Sequence, residues 1–220
     1  ALETLAAEQT KLLGEKLSSA MLAVDNATGE VLAYVGSAGY LDADRAGAID
    51  MVQAVRSPGS TLKPLIYGLA FEAGLAHPET LIEDRPTRFG AYRPENFDEE
   101  FHGTVTVREA LGLSLNVPAV KMLAAVGPGK LTARLDRAGV KTELPPETVP
   151  SLAVALGGIG MRLQDLTQLY VTMARSGEPV PLNWRRDGES LKLRLTSERE
   201  AAKRRLLSPV AAWYVGDILK

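Results

Sequence analysis

Residues 56–64 read Arg-Ser-Pro-Gly-Ser-Thr-Leu-Lys-Pro, a tight turn that runs into a helix. Pro-Gly is typical of turns, and from Ser60 onward apolar residues recur at spacings of three and four, as on one face of a helix. This spacing predicts a helix that ends at Gly74. Because Pro64 falls in the first turn, where it removes one intrahelical hydrogen bond, we expect that turn to be irregular.

Ser60 and Lys63 lie one turn apart on this helix, so the hydroxyl and the amine share a face. A serine is a weak nucleophile at neutral pH, and a desolvated lysine is one of the bases that can take its proton. Backbone N–H groups at a helix start favour negative charge on an acyl oxygen. The tetrad therefore suggests an acylating serine. Taken alone, such a tetrad more often marks a helix-capping serine and a solvated lysine.

The composition excludes several classes of function. The 220 residues are 45% hydrophobic and 24% charged, typical of a globular chain with one sizeable core or two small ones. A net charge of −2 argues against nucleic-acid binding. Cysteine is absent, and the two histidines, His77 and His102, have no metal-ligand spacing. No apolar run is long enough to cross a membrane. We therefore expect neither a metal nor a cofactor.

The segments on either side of the Ser60 turn have distinct patterns. Residues 2–17 predict an amphipathic helix, and residues 20–25 and 30–36 predict a hairpin. Both strands are almost wholly apolar, so we expect both faces of the hairpin to be covered. Residues 77–102 carry three prolines and few periodic apolar positions, which predicts a long ordered loop with short strands at most. A loop of that length commonly forms part of a functional site.

Helices dominate the pattern after residue 105. Thr106 and Glu109 form a capping-box pattern that opens a short helix. Asn116 is suited to cap the next helix, with Pro118 in its first turn. On local sequence alone, Asn116 is a helix cap and Ser114 a solvated loop residue. The remaining pattern predicts three more helices, at residues 131–138, 163–176 and 208–220, and a small polar hairpin at residues 184–195.

Two serine motifs, Ser60-x-x-Lys63 and Ser114-x-Asn116, occur here in the order of a known pair. With them, the chain resembles the transpeptidase domain of class A (bifunctional) penicillin-binding proteins, and among these the 1C type. The resemblance runs from about residue 19 to residue 220. Further stretches that agree with the family, in order, are residues 28–33, 45–46, 58–64, 84–86, 94–96, 103–111 and 152–177.

This resemblance implies a role for each motif residue. Ser60 would attack the carbonyl of a D-Ala-D-Ala stem peptide, expel the last D-Ala and form an acyl-enzyme. Lys63 would accept the Ser60 proton, although the identity of the acylation base is debated across the wider superfamily. Ser114 would relay the proton to the leaving amine, and Asn116 would hold Lys63 and the substrate amide. A second stem peptide would resolve the acyl-enzyme, and β-lactams would mimic the dipeptide.

The third motif of the family, Lys-Thr-Gly, is missing from the 220 residues. The tripeptide at 141–143, Lys-Thr-Glu, differs in its third residue and precedes residues 152–177 rather than following the last helix. The resemblance therefore implies a chain truncated before that motif and the rest of the sheet, and without the upstream glycosyltransferase domain and membrane anchor. We expect the hairpin to keep an open edge. The chain alone should be inactive or weakly active unless a second chain supplies the rest.

The fold implied is α+β, of the penicillin-binding transpeptidase and serine β-lactamase type, with an antiparallel sheet flanked by helices and a helical subdomain. Residues 1–18 would be a helical lead-in, and residues 19–220 the N-terminal portion of the transpeptidase domain. The parent protein would cross-link peptidoglycan stem peptides in the periplasm, anchored in the inner membrane. Two alternatives remain: a serine β-lactamase or D,D-carboxypeptidase, in which water replaces the acceptor amine, and a non-catalytic sensor or scaffold.

Overall fold

The structure, a computed structural model, describes residues 1–14, 16–184 and 204–220. Two short 3-10 helices, Gly59–Leu62 and Leu152–Leu156, accompany the main elements. The main elements within these ranges are, in chain order, α1 (Leu2–Leu13), β1 (Met21–Val24), β2 (Val31–Val35), α2 (Lys63–Glu72), β3 (Leu81–Asp84), β4 (Gly103–Thr106), α3 (Val107–Gly112), α4 (Asn116–Val126), α5 (Pro128–Arg137), α6 (Leu163–Ala174) and α7 (Pro209–Ile218).

Helix α2 forms the buried centre of the molecule. Every residue from Lys63 to Phe71 is buried, and the helix packs against α4 and α7. A helix enclosed in this way needs apolar residues on all sides rather than one stripe. Gly68 permits close packing, because a Cβ there would lie 2.6 Å from Leu207 Cδ1. Lys63 is the only charged residue in this buried stretch, so its position requires a chemical explanation.

Both ends of α2 follow the sequence pattern. The 3-10 helix Gly59–Leu62 runs directly into α2, so the first turn is irregular, as Pro64 predicts. At the other end, Gly74 follows the helix with a φ of 67°. Glycine adopts this left-handed conformation without the steric cost that other residues meet. The predicted turn, helix and stop signal are therefore confirmed.

The first hairpin consists of β1 and β2, which pair antiparallel. Among the described residues, one further bridge joins it, between Glu30 and Asn183. The expectation that both faces of the hairpin are covered is wrong. Leu32 is 63% exposed and Tyr34 is 38% exposed, whereas the residues between and beside them are more buried. One face of β2 is therefore open in this part of the structure.

The long segment at residues 77–102 is an ordered loop that contains one short strand, β3, as its prolines predict. Strand β3 pairs antiparallel with β4. Side chains alternate along a strand, so Ile82 and Asp84 point inward, whereas Leu81 and Glu83 are exposed. The strand thus ends by delivering a carboxylate to the interior, close to the start of α4.

The helices after β4 begin largely where their caps predict. Thr106 Oγ1 accepts a hydrogen bond from the Glu109 N–H, and the Glu109 carboxylate accepts one from the Thr106 N–H, so the capping box forms. At α7, the Ser208 hydroxyl oxygen accepts from the Ala211 N–H at 3.3 Å, with Pro209 as the first helical residue. These local signals are short-range, which is why the sequence reveals them.

Some boundaries differ from their predictions. Helix α1 ends at Leu13 rather than at residue 17, because Gly14 leaves the helical region with a φ of 140°. Helix α5 begins earlier than predicted, with Pro128 in its first turn. Of the hairpin predicted at residues 184–195, all but residue 184 lies outside the described residues. Within the described ranges, no helix is both long and apolar enough to cross a membrane.

Candidate active site

The candidate nucleophile lies on the 3-10 turn in front of α2. Ser60 is exposed, and its hydroxyl makes no hydrogen bond with any residue in the described part of the chain. Its carbonyl oxygen accepts a hydrogen bond from the Lys63 backbone N–H. The spacing predicts contact between the Ser60 hydroxyl and the Lys63 amine, and this structure does not form it. The hydroxyl is instead open to solvent, one turn from the lysine.

The Lys63 side chain points its amine at the start of α4. It is 1% exposed, and Nζ donates to Asn116 Oδ1 at 2.6 Å, to Ser114 Oγ at 3.2 Å and to the Ser114 carbonyl oxygen. An ammonium group has three protons to donate, so three acceptors match its capacity. The structure therefore brings Lys63 into direct contact with Ser114 and Asn116, which lie 51 and 53 residues further along the chain.

Burial changes the acid–base chemistry of this lysine. Desolvation lowers the pKa of Lys63 from 10.5 to about 8, because removal from water disfavours the charged form. With that pKa, about a tenth of the lysine is neutral at pH 7. A neutral amine has a lone pair, so Lys63 has the pKa of a general base that works near neutral pH.

Ser114 occupies a conformation that serines rarely adopt. Its φ is 55°, in the left-handed region where glycine or asparagine is usual. It follows α3, where the Ser114 N–H donates to Leu111 O and the Leu115 N–H donates to Ala110 O, as in a Schellman-type helix end. A serine here stores strain on the order of 1 kcal/mol. The same turn aims two Ser114 oxygens at Lys63.

The prediction that Asn116 caps α4 is wrong. Helix α4 begins at Asn116 itself, and the cap position belongs to Leu115, which has the extended backbone of a cap residue but no capping side chain. The Asn116 amide is used elsewhere: Oδ1 accepts from Lys63, and Nδ2 donates to Glu95 O at 2.7 Å. The side-chain amide of Asn116 is therefore part of the candidate site, whereas the local sequence pattern predicts it to be a helix cap.

Contacts from a distant segment hold the turn that carries the nucleophile. The Ser57 hydroxyl donates to Gly157 O at 2.8 Å and accepts from the Gly59 N–H at 3.3 Å. The Tyr170 hydroxyl donates to Thr61 O at 3.0 Å. Gly157 has a φ of 95°, and a Cβ there would lie 2.6 Å from Gly59 N. Sequence reasoning missed these residues because no local pattern links positions so far apart.

The comparison with protein families agrees with this geometry. Residues 19–220 match the model of the penicillin binding protein transpeptidase domain. The chain belongs to the penicillin-binding protein transpeptidase family. It is 42% identical over 218 residues to penicillin-binding protein 1C of Escherichia coli (strain K12), a match that covers 99% of this chain and 27% of that protein. The chain thus spans about a quarter of the length of this relative.

Solved structures show the same fold. The chain superposes on the penicillin-binding protein PonA1 from Mycobacterium tuberculosis with a TM-score of 0.73 and 22% identity, over 98% of this chain and 60% of that one. A structure of PonA1 in complex with penicillin V gives a TM-score of 0.66 and 24% identity, over 81% and 50% of the two chains. The predicted α+β penicillin-binding transpeptidase fold, with helices and small antiparallel sheets, is therefore confirmed.

Proposed function

We propose that this chain carries part of the active site of a serine D,D-transpeptidase that cross-links peptidoglycan. The observation that carries the proposal is a buried lysine whose amine contacts Ser114 and Asn116, one turn from an exposed serine. Burial makes Lys63 a base near neutral pH, and exposure leaves Ser60 accessible. Structural lysines are seldom both buried and free of a carboxylate partner.

In the proposed reaction, Ser60 Oγ attacks the carbonyl carbon of the penultimate D-Ala, and its proton passes to the neutral Lys63 Nζ. The tetrahedral intermediate then breaks its C–N bond, and the departing D-Ala amine takes a proton through the Ser114 hydroxyl. The ester on Ser60 is attacked by the amine of a second stem peptide, which forms the new amide and regenerates the serine. Asn116 holds Lys63 in place throughout.

β-Lactams are the proposed inhibitors, because opening the lactam ring follows the same first step and leaves an ester on Ser60. Penicillin V in the PonA1 complex supports this part of the proposal, since that protein shares the fold. Peptidoglycan lies outside the cytoplasmic membrane, so we propose an extracytoplasmic, periplasmic location. Within this proposal, residues 1–18 lead into the transpeptidase segment at residues 19–220.

The two alternatives differ in what attacks the acyl-enzyme. A D,D-carboxypeptidase or β-lactamase would use water, and a sensor or scaffold would acylate without turnover or not at all. The experiment that separates them incubates the full-length protein with a stem pentapeptide, with and without an acceptor amine, and follows the products by mass spectrometry. The proposal expects D-Ala release together with an acceptor-linked product.

Ser60→Ala is the matched control, and it should abolish both products. Release of D-Ala with only the hydrolysed tetrapeptide would support the carboxypeptidase instead. A protein that folds normally but releases no D-Ala would support the non-catalytic scaffold. Opening of a β-lactam with rapid regeneration of free enzyme would indicate a β-lactamase.

A further inference from the structure

The orientation of the Asn116 amide is fixed by two contacts of opposite kind. Its oxygen must face Lys63, because an ammonium group can only donate, and its nitrogen must face Glu95 O, because a carbonyl can only accept. A flipped amide would satisfy neither. The backbone segment at residues 95–96 therefore decides which end of the amide meets the lysine.

Asn96 holds the start of α4 at the same place. It is 5% exposed, and its Oδ1 accepts from the Asn116 backbone N–H at 2.8 Å. Helix starts leave backbone N–H groups without intrahelical partners. Leu115, the cap residue of α4, makes no capping hydrogen bond with its side chain. Asn96 thus caps α4 from another part of the chain, which leaves the Asn116 side chain available to Lys63.

Asp84 fixes Asn96 in turn. It is fully buried at the end of β3, and its two carboxylate oxygens accept from Asn96 Nδ2 at 3.0 and 2.8 Å. Oδ2 also accepts from the His102 N–H at 2.9 Å. Asn96 Nδ2 donates to Glu100 O as well, at 2.8 Å. Because these acceptors all require the amide nitrogen of Asn96, its Oδ1 faces the start of α4.

We propose that Asp84 and Asn96 are positioning residues that set the orientation of Asn116 and thereby hold the Lys63 amine beside Ser114. Among the described residues, neither forms a hydrogen bond with Ser60 or Lys63. The chain of hydrogen bonds runs from the carboxylate of Asp84 through the Asn96 amide to the start of α4. It deepens the function proposed above, on which its kinetic measurement rests. If their role were only structural, Asp84 and Asn96 would stabilise the loop without affecting the position of the Lys63 amine.

The test is a double-mutant cycle between Asn96→Ala and Asn116→Ala, because coupled residues give non-additive effects. Benzylpenicillin acylation of the full-length protein is resolved into a binding constant and an acylation rate constant. Misplacing a catalytic group by about 1 Å can cost roughly 100-fold, so Asn96→Ala should slow acylation by about 10- to 100-fold with little change in binding. In the Asn116→Ala background the same substitution should change the rate less than about twofold.

A second measurement is independent of acylation. The pH titration of Lys63, followed by NMR of ¹³Cε-labelled lysine and assigned with Lys63→Met, should move to lower pH in Asn96→Ala. A loosened Asn116 stabilises the ammonium less, while burial is unchanged. The shift should vanish in the Asn116→Ala background. If the protein does not acylate at all, the proposed function fails, and this titration still decides the positioning role.

Several results would overturn the positioning role: additive effects in the cycle, an unchanged Lys63 titration, or a shift toward the pH of a solvated lysine, which would mean that the loop had opened to water. Should Asn96→Ala not fold, Asp84→Asn keeps the shape of the carboxylate and should move the titration in the same direction only while Asn116 is present, because a shift due to the lost charge alone would persist in the Asn116→Ala background. Glu83→Gln is the matched control, because Glu83 precedes Asp84 on β3 but is exposed. It should leave both measurements unchanged.

Discussion

Replacing Lys63 by methionine removes a buried charge while roughly preserving the volume of the side chain. Lys63 is 1% exposed, and among the residues that the structure describes its amine meets three oxygens but no carboxylate. Lys63 should therefore make its own contribution to the pH dependence of the stability of the folded protein. A methionine side chain cannot titrate, so the pH dependence that Lys63 contributes should disappear from the Lys63→Met variant.

The sign and size follow from the pKa. The pKa of Lys63 is lowered from 10.5 to about 8 in the folded chain, so between pH 8 and 10.5 the unfolded state binds more protons, and stability rises with pH. At 1.36 kcal/mol per pKa unit the full shift corresponds to about 3 kcal/mol. That part of the stability is absent at pH 7 and present above pH 10.

The assay is chemical denaturation of both proteins at pH 7 and pH 10.5. Relative to wild type, Lys63→Met should become less stable by about 3 kcal/mol on going to the higher pH, because only wild type carries the Lys63 contribution. Lys130→Met, on the exposed surface of α5, measures the background effect of removing a lysine. A difference in the free energy of unfolding between wild type and Lys63→Met that stays constant between the two pH values would contradict a lowered pKa of Lys63.

Three further predictions concern the turns around the site. Gly157→Ala should cost about 3 kcal/mol in a denaturant melt, because alanine is strained at a φ of 95° and its Cβ would collide with Ser57 Oγ; a loss below about 1 kcal/mol would contradict this. Ser114→Gly should be at least as stable as wild type, since glycine tolerates a φ of 55°. It should nevertheless acylate roughly 10-fold or more slowly, and an unchanged acylation rate would argue against proton transfer through the Ser114 hydroxyl. Thr106→Ala should lower the stability by about 1 kcal/mol through loss of a cap, without changing the acylation rate.

The elements that could be predicted are those with local causes. The Ser60 turn, the stop at Gly74, the capping box at Thr106 and the cap at Ser208 all depend on residues within one or two turns of each other. The local pattern gave a wrong prediction where a residue distant in sequence contacts the side chain. Asn116 looks like a helix cap, and it becomes part of the site only because Lys63 comes within reach of its side chain.

The motif residues of the site could be named from the sequence, but not the contacts that set their chemistry. Lys63 is identified by its spacing from Ser60, whereas its lowered pKa comes from burial under elements far along the chain. The loop with Asp84 and Asn96 is recognisable as a loop, yet its hydrogen bonds to α4 require the fold. Long-range packing is the information that a local pattern lacks.

The proposed function depends above all on Ser60 as the nucleophile and Lys63 as its base. The most direct measurement is the intact mass of the full-length protein before and after benzylpenicillin, beside Ser60→Ala and Lys63→Met. The proposed function predicts one covalent adduct on wild type, none on Ser60→Ala, and one that forms far more slowly on Lys63→Met. An adduct that persists on folded Ser60→Ala, or no adduct on folded wild type, would contradict it.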